Sequence, residues 1–215
     1  MSKVTLAIPV GIGIAAAIFV VVFFGSNTSQ DDFDFTLSDL IERGSPHVGD
    51  SSAQITIVEF GDYQCTFCFK FHQSSLDVIK KEYIDSGKAS LVFVDFPLNG
   101  PDSVLAAEAT HCANEQEKFW AMHDEIYHNW NGERTGWINR DSISKFAQTA
   151  GVDVDSMNQC LDSKKYQDRV LETYDFAKEI NIDATPSFLV ISGDKVIKIT
   201  GNQSLEVFRK VLDEI

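Results

Sequence analysis

Two cysteines three residues apart, Cys65 and Cys68, are the side chains whose type and spacing most directly indicate chemistry. Residues 55–60, before them, are largely β-branched, as in a strand, and the apolar residues after them recur at helical spacing as far as Tyr83. Cys65 is therefore expected at a helix N-terminus, where unpaired backbone N–H groups and the helix dipole stabilise a thiolate. Because Cys68 lies one helical turn further on, the two thiols can form a disulfide. The pair predicts a redox site.

The rest of the pattern supplies the elements that must position this pair. A helix that connects two strands, as residues 66–85 are expected to do, implies that the strands are parallel. Gly193 and Asp194 separate two later strand-like segments and indicate a hairpin. The expected order is strand 55–60, helix 66–85, strand 89–96, helices throughout 102–180, strands 187–192 and 195–200, and a closing helix 205–215. The sequence therefore predicts an α/β protein with a helical block between its second and third strands.

An uncharged, mostly apolar run occupies residues 4–24. At about 1.5 Å per helical residue, such a run matches the hydrocarbon core of a bilayer, about 30 Å thick. Residues 1–25 are therefore predicted to be a transmembrane anchor, and residues 26–44 a polar tether that orders partly near residues 37–42. Lys3 precedes the run, which places the N-terminus in the cytoplasm and the following domain outside it. A cleaved signal peptide is the alternative interpretation.

The acidic composition excludes one class of partner. The formal net charge is −14, and an acidic domain lacks the basic patches that nucleic-acid binding requires. No nucleic-acid partner is expected.

Four stretches of the sequence together resemble the DsbA-like family of thioredoxin-fold thiol-disulfide oxidoreductases. Two cysteines at this spacing would by themselves be weak evidence for a family, but the combination of four matching stretches is specific. The stretches are residues 59–68 (EFGDYQCTFC), 106–109 (AAEA), 119–120 (FW) and 184–188 (ATPSF).

This resemblance implies a thioredoxin-like fold, made of residues 45–100 and 181–215, with an inserted all-helical domain at residues 101–180. It also implies the activity, which is dithiol–disulfide exchange at Cys65 and Cys68. The redox-active disulfide is then the reacting group, and no cofactor is expected.

The residues around the cysteine pair qualify this expectation. Thr66 and Phe67 stand where the strongly oxidising members have Pro-His, so no imidazole is available to stabilise the thiolate. Both residues are expected to contact substrate. The resemblance implies that Pro186 is cis and faces the cysteines across a groove, where the Thr185 backbone would bind an extended substrate. A trans proline that starts an edge strand is the alternative.

Glu59 is an acidic residue within an otherwise apolar strand, six residues before Cys65. The resembled family has an acidic residue at the matching place. A buried carboxyl group there is expected to relay a proton to or from Cys68. The alternative is a glutamate that reaches solvent at the end of the strand.

Cys112 and Cys160 remain for a second pair, because disulfides persist outside the cytoplasm. They fall in two different predicted helices, and similar DsbA-like proteins carry such a structural disulfide. The bridge would close a loop of about 48 residues and contribute roughly 3–4 kcal/mol to stability. Two inert buried thiols are the alternative.

Two other functions stay open from the sequence. Reduced Cys65 and Cys68 could hold Cu(I) or zinc together with His72, which lies on the same helix face, although His72 is expected to be an ordinary surface residue. The second open function is disulfide reductase or isomerase activity. Isomerases usually need a dimer, and the sequence contains no evident dimerisation domain.

Together, these features predict a monomeric, single-pass membrane enzyme with its catalytic domain on the extracytoplasmic side. Its substrates would be unfolded secreted proteins that contain cysteines. A membrane oxidase, implied by the resemblance, or a small-molecule oxidant would re-oxidise the cysteine pair.

Overall fold

The computed structural model of the protein describes residues 35–215. The predicted anchor, residues 1–25, and the first part of the tether lie outside these residues, so the anchor stays a prediction. Within residues 35–215, no helix is both long enough and apolar enough to cross a membrane.

A four-stranded sheet in the order β2-β1-β3-β4 lies at the centre of the fold. β1 pairs in parallel with β2 and antiparallel with β3, and β3 pairs antiparallel with β4. All residues of β1 and β2 are buried, as expected for strands that are covered on both faces. The strands are β1 Ile55–Gly61, β2 Ala89–Asp95, β3 Ser187–Ser192 and β4 Lys195–Thr200.

Helices cover both faces of the sheet and form the block between β2 and β3. Helices α4 to α8 follow one another between these two strands, as the sequence predicts. The helices are α1 Leu37–Arg43, α2 Thr66–Ser74, α3 Leu76–Ile79, α4 Pro101–Asn114, α5 Phe119–His128, α6 Arg140–Thr149, α7 Val154–Asp162, α8 Gln167–Glu179 and α9 Leu205–Glu214, with a π-helical segment at Lys80–Ile84.

The alternation of side chains along β1 decides which residues face the active-site helix. Ile55 and Ile57 belong to the core that contains residues of α2 and α9, whereas Val58 and Phe60 belong to the core on the side of α1 and α8. Because side chains two apart on a strand share a face, Glu59 lies on the face of Ile55 and Ile57. It is therefore directed towards α2.

The expectation of one continuous helix over residues 66–85 is wrong. The helix is interrupted after Ser74, resumes as α3 and ends in a π-helical segment. The hydroxyl of Ser74 donates a hydrogen bond of 2.7 Å to the carbonyl of Lys70, a contact that bends helices. The next residue, Ser75, has a φ of −101° and ends α2. Ser74 and Ser75 thus interrupt the continuous helix that the uniform spacing of apolar residues predicts.

The folded unit begins earlier than the expected boundary at residue 45. The tether was expected to order partly near residues 37–42, and the structure contains α1 there. A capping box of Thr36 and Asp39 starts this helix, and Leu40 is fully buried against the sheet. The last part of the predicted tether is therefore part of the core.

The cysteine pair lies where the helical block meets the sheet. Cys65, Cys68 and Phe93 of β2 belong to the same buried cluster as the apolar residues of α4 to α7. The packing of the block against the sheet therefore positions the redox site.

Candidate active site

Cys65 is the N-cap residue of α2, directly after the turn that follows β1. The backbone N–H of Cys68 donates a hydrogen bond to Cys65 Sγ at 3.4 Å, and Cys65 Sγ donates to the carbonyl of Thr185 at 3.4 Å. Both cysteines are free thiols. Cys65 is 5% exposed and Cys68 is completely buried. Cys65 is therefore the sulfur that a substrate can reach.

The two thiols differ strongly in acidity. The pKa of Cys65 is lowered from 9.0 to about 7, mainly by the hydrogen bond from the Cys68 side chain, although burial opposes this effect. The side chain of Thr185 and the backbone N–H groups of Cys68 and Phe67 lower it further. Burial raises the pKa of Cys68 well above 9.0, and the neighbouring Cys65 and Glu59 add to this. Near pH 7, about half of Cys65 is therefore thiolate, whereas Cys68 stays a thiol.

Alkylation of the reduced protein by iodoacetamide is expected to reach half its maximal rate near pH 7. The thiolate is the nucleophile, so the rate rises with pH through the pKa of Cys65. Cys68→Ala removes the S–H donor and should move the midpoint towards 9.0, whereas Cys68→Ser keeps a hydroxyl donor and should move it less. Equal midpoints in these two variants would show that the hydrogen bond is not the cause.

The segment predicted to face the cysteines across a groove is next to Cys65. The Thr185-Pro186 peptide bond is cis, and Pro186 directly precedes β3. The Pro186 carbonyl accepts a hydrogen bond of 2.7 Å from the N–H of Gly201, which lies just after β4. Through this contact and the Thr185 carbonyl, the segment is held beside the nucleophilic sulfur.

Thr66 and Phe67 lie in the first turn of α2 but in different environments. Phe67 is 55% exposed, unusually high for a large apolar side chain in this protein, and the Lys70 ammonium lies 5.3 Å from its ring centre. The backbone N–H of Thr66 donates a hydrogen bond of 2.8 Å to Glu133 Oε1. Glu133 lies in the loop between α5 and α6, and no local sequence pattern predicts this contact. A carboxylate thus accepts a hydrogen bond from one of the backbone N–H groups at the helix N-terminus beside Cys65.

Glu59 is buried beside the inner thiol. Its side chain is 1% exposed, and neither carboxylate oxygen has a hydrogen-bond partner among residues 35–215. Its negative charge contributes to the raised pKa of Cys68. A buried carboxylate without a hydrogen bond is costly, and its place next to the redox-active thiol makes Glu59 the candidate for the predicted proton relay.

The expectation that His72 is an ordinary surface residue is wrong. The side chain is 5% exposed, and its Nε2 lies 3.6 Å from Glu59 Oε1. The ring stacks on Tyr127 of α5, with centroids 3.9 Å apart. In the described part of the chain, His72 groups with His123 and Asp124 as a potential metal-binding set, and neither Cys65 nor Cys68 belongs to that set. The packing of α2 against α5 determines this.

A buried carboxylate fastens the turn before Cys65 to the rest of the protein. Asp62 accepts hydrogen bonds of 2.7 Å from the backbone N–H groups of Gln64 and Asn99 and from the Ser103 hydroxyl. Burial raises the pKa of Asp62 above its usual value, and these hydrogen bonds oppose that effect. The turn is thereby tied to the start of α4.

Gln64 extends this network to the loop between α5 and α6. Its Nε2 donates to Ser103 Oγ at 2.8 Å, and its Oε1 accepts from the N–H of Arg134 at 2.9 Å. Its carbonyl accepts from the indole of Trp130 at 3.0 Å. Asp62 and Gln64, two polar residues directly before Cys65, are the sequence signal for these positioning roles.

Cys112 and Cys160 form a disulfide that joins α4 to α7, with an S–S distance of 1.98 Å. Both residues are buried in the core of the helical block. The bond therefore connects two elements of the block and leaves Cys65 and Cys68 as the free pair.

Comparisons with known proteins agree with this geometry. A family model described as thioredoxin matches residues 42–214. The chain is 32% identical over 171 residues to the probable disulfide bond formation protein D of Bacillus cereus, which covers 78% of this chain and 76% of the relative. It is 30% identical over 159 residues to disulfide bond formation protein D of Bacillus subtilis, covering 73% and 71% of the two chains.

Solved structures show the same similarity. The crystal structure of oxidised BdbD from Bacillus subtilis superimposes with a TM-score of 0.72 at 26% identity, covering 81% of this chain and 93% of that one. Wolbachia pipientis alpha-DsbA1 superimposes with a TM-score of 0.69 at 28% identity, covering 78% and 88%.

Proposed function

Because the chain belongs to the DsbA-like, thioredoxin-fold family of protein-disulfide oxidoreductases, we propose that it introduces disulfides into secreted proteins from the outer face of the membrane. The observation that carries this proposal is the asymmetry of the cysteine pair. Cys65 is acidic and reachable beside the Thr185 carbonyl, whereas Cys68 is buried and has a high pKa. In such a pair, the substrate thiolate attacks the reachable sulfur of Cys65, and the buried Cys68 is the leaving group within the protein.

The exchange proceeds in two balanced steps. A substrate thiolate attacks Cys65 Sγ of the oxidised pair, the Cys65–Cys68 bond breaks, and Cys68 leaves as a thiolate. A second substrate thiolate then attacks the substrate sulfur of the mixed disulfide, and Cys65 leaves as a thiolate. Two electrons pass to the protein, and the substrate gains one disulfide. The low pKa of Cys65 favours its departure in the second step.

Glu59 is the proposed proton relay to Cys68 in the first step: its carboxylate takes up a proton and passes it to the Cys68 sulfur. The Cys68 thiolate forms in a fully buried site with a pKa well above 9.0, so it must take up a proton. In the Glu59→Gln variant, the side chain keeps its size, but its amide cannot take up and release a proton as a carboxyl group does. We expect it to slow formation of the mixed disulfide in rapid-mixing kinetics while the folded structure is retained. An unchanged rate constant would rule out this role.

The acidity of Cys65 predicts a weaker oxidant than DsbA. Its pKa of about 7 is close to the value of about 7 for thioredoxin and far above the value of about 3.5 for DsbA. A less stabilised thiolate makes the reduced pair less favourable. This agrees with Thr66 and Phe67 standing where strongly oxidising members have Pro-His.

The location outside the cytoplasm rests on the sequence. The apolar run of residues 4–24, with Lys3 before it, supports a single-pass anchor. Cysteine-containing secreted proteins and a separate re-oxidant, in the membrane or in solution, are then the proposed partners. Labelling of intact cells with a membrane-impermeant thiol reagent tests the location, because Cys65 reacts without lysis only if the domain faces outward.

The experiment that tests the function is equilibration of the protein with a glutathione redox series. A potential between about −120 and −180 mV, with oxidation of a reduced, unfolded substrate, supports disulfide introduction. A potential near about −270 mV, the thioredoxin value, would instead assign the protein as a reductase.

A further inference from the structure

A second group of potential metal ligands lies between α2 and α5. His72 comes from α2, and His123 and Asp124 are neighbours on α5. One ligand atom from each residue lies within 4.8 Å of the others. Imidazole nitrogen and carboxylate oxygen are the protein ligands that zinc and related divalent metals prefer after thiolate.

The buried histidine has one ring nitrogen without a partner. His123 is completely buried, and its Nδ1 lies 2.9 Å from the Tyr63 hydroxyl. Its Nε2 has no hydrogen-bond partner among residues 35–215. A buried polar atom left without a partner destabilises the fold, and a bound ligand would offset this cost. Holding one ring nitrogen by a hydrogen bond and leaving the other free is the arrangement of metal-binding histidines.

His72 also has a buried ring nitrogen, Nε2, without a hydrogen-bond partner among residues 35–215. This nitrogen lies 3.6 Å from the buried Glu59 carboxylate, which is longer than a hydrogen bond. A carboxylate behind a ligating imidazole orients the ring and increases its basicity. One nitrogen of the His72 ring lies within 4.8 Å of ligand atoms of His123 and Asp124.

Two members of the cluster, His72 and Asp124, line a recess of about 220 Å³ beside the buried His123. Asp77 and Asp124 outnumber Lys80 in its lining, so the electrostatic balance of the recess favours a cation.

We propose that His72, His123 and Asp124 bind a divalent transition metal, with zinc as the best match. Zinc takes four ligands at about 2.0–2.2 Å from nitrogen and oxygen, so the three donors have to approach one another by up to roughly 1.5 Å from their present separation. A water molecule would supply the fourth ligand. Magnesium and calcium prefer sets made of oxygen ligands and do not match two imidazoles.

The test uses the full-length protein with Cys65 and Cys68 oxidised to a disulfide and no polyhistidine tag. In this form neither cysteine can ligate, so zinc bound in calorimetric titration reports the histidine cluster alone. We expect one zinc per chain. Asp124→Asn and His72→Gln should each weaken binding by at least tenfold, and His128→Gln, which alters the same recess outside the cluster, should leave binding unchanged.

Two further measurements keep the proposal decisive. Cobalt substitution should give the intense visible absorption of a four-coordinate site, and Asp124→Asn should remove it while circular dichroism shows an intact fold. The proposal is overturned if the oxidised protein binds no zinc. It is also overturned if Asp124→Asn and His128→Gln weaken binding equally, because zinc would then be held by general surface charge.

Discussion

Cys65→Ser is expected to reduce the oxidation of a cysteine-containing, unfolded substrate to the uncatalysed rate. The serine hydroxyl fills nearly the same space, but it cannot form a disulfide or receive the substrate sulfur. Cys68 cannot replace it, because its sulfur is completely buried and its pKa is well above 9.0. The loss is measured as the rate of disulfide formation in a reduced substrate, with the oxidised wild-type protein as reference.

Cys68→Ala is the matched companion to this variant. It retains the reachable Cys65 but removes the internal thiol. With oxidised glutathione as the oxidant and a substrate that carries a single cysteine, mixed disulfides at Cys65 should persist and appear as covalent adducts in non-reducing electrophoresis. Cys65→Ser with Cys68→Ala should give no adducts. Substantial activity in Cys65→Ser alone would assign the attacked sulfur to Cys68 and would contradict the burial argument.

The elements around the cysteines were predictable because their signals are local. The β-branched run of β1 and the helical spacing after Cys65 each lie within one segment, and the structure has both elements. The cis Thr185-Pro186 bond was different, because physical reasoning allowed either isomer and the family resemblance indicated cis. Periodicity also failed where a local contact overrode it, as at Ser74.

The contacts that tune the site were not predictable, because they join residues far apart in the sequence. Glu133 lies 67 residues from Thr66, whose N–H it accepts, and nothing in its neighbourhood distinguishes it from a solvated loop residue. The pairing of His72 with Glu59 depends on the rotation of α2 against β1 and α5. A helical wheel placed His72 on the cysteine face, but tertiary packing decides which groups that face meets.

The N-terminus of α2 is shared between Cys65 and Glu133, and burial opposes the hydrogen bonds that lower the pKa of Cys65. The Cys65 sulfur accepts the N–H of Cys68, while Glu133 accepts the N–H of Thr66. Donors at a helix N-terminus are few, and Glu133 takes one of them. The sequence indicated the missing imidazole, and the structure adds a competing carboxylate.

Replacing both members of the structural disulfide, Cys112→Ala with Cys160→Ala, is expected to lower the free energy of unfolding by roughly 3–4 kcal/mol. The bond closes a loop of 48 residues between α4 and α7, and removing it restores the entropy of that loop to the unfolded chain. This is a large share of the roughly 5–15 kcal/mol typical of a domain. Urea denaturation of the oxidised proteins measures it.

The double variant is needed because a single replacement would leave a free thiol that can pair with Cys65 during folding. The same variant distinguishes an effect of the disulfide on stability from an effect on the catalytic pair. The bond lies within the helical block, and neither of its cysteines contacts Cys65 or Cys68 through a hydrogen bond in the described structure. The glutathione equilibrium of the catalytic pair should therefore stay unchanged while stability falls. A shifted equilibrium would mean that the disulfide also sets the position of the helical block over the redox site, whereas unchanged stability would mean that packing of α4 against α7 alone holds the block together.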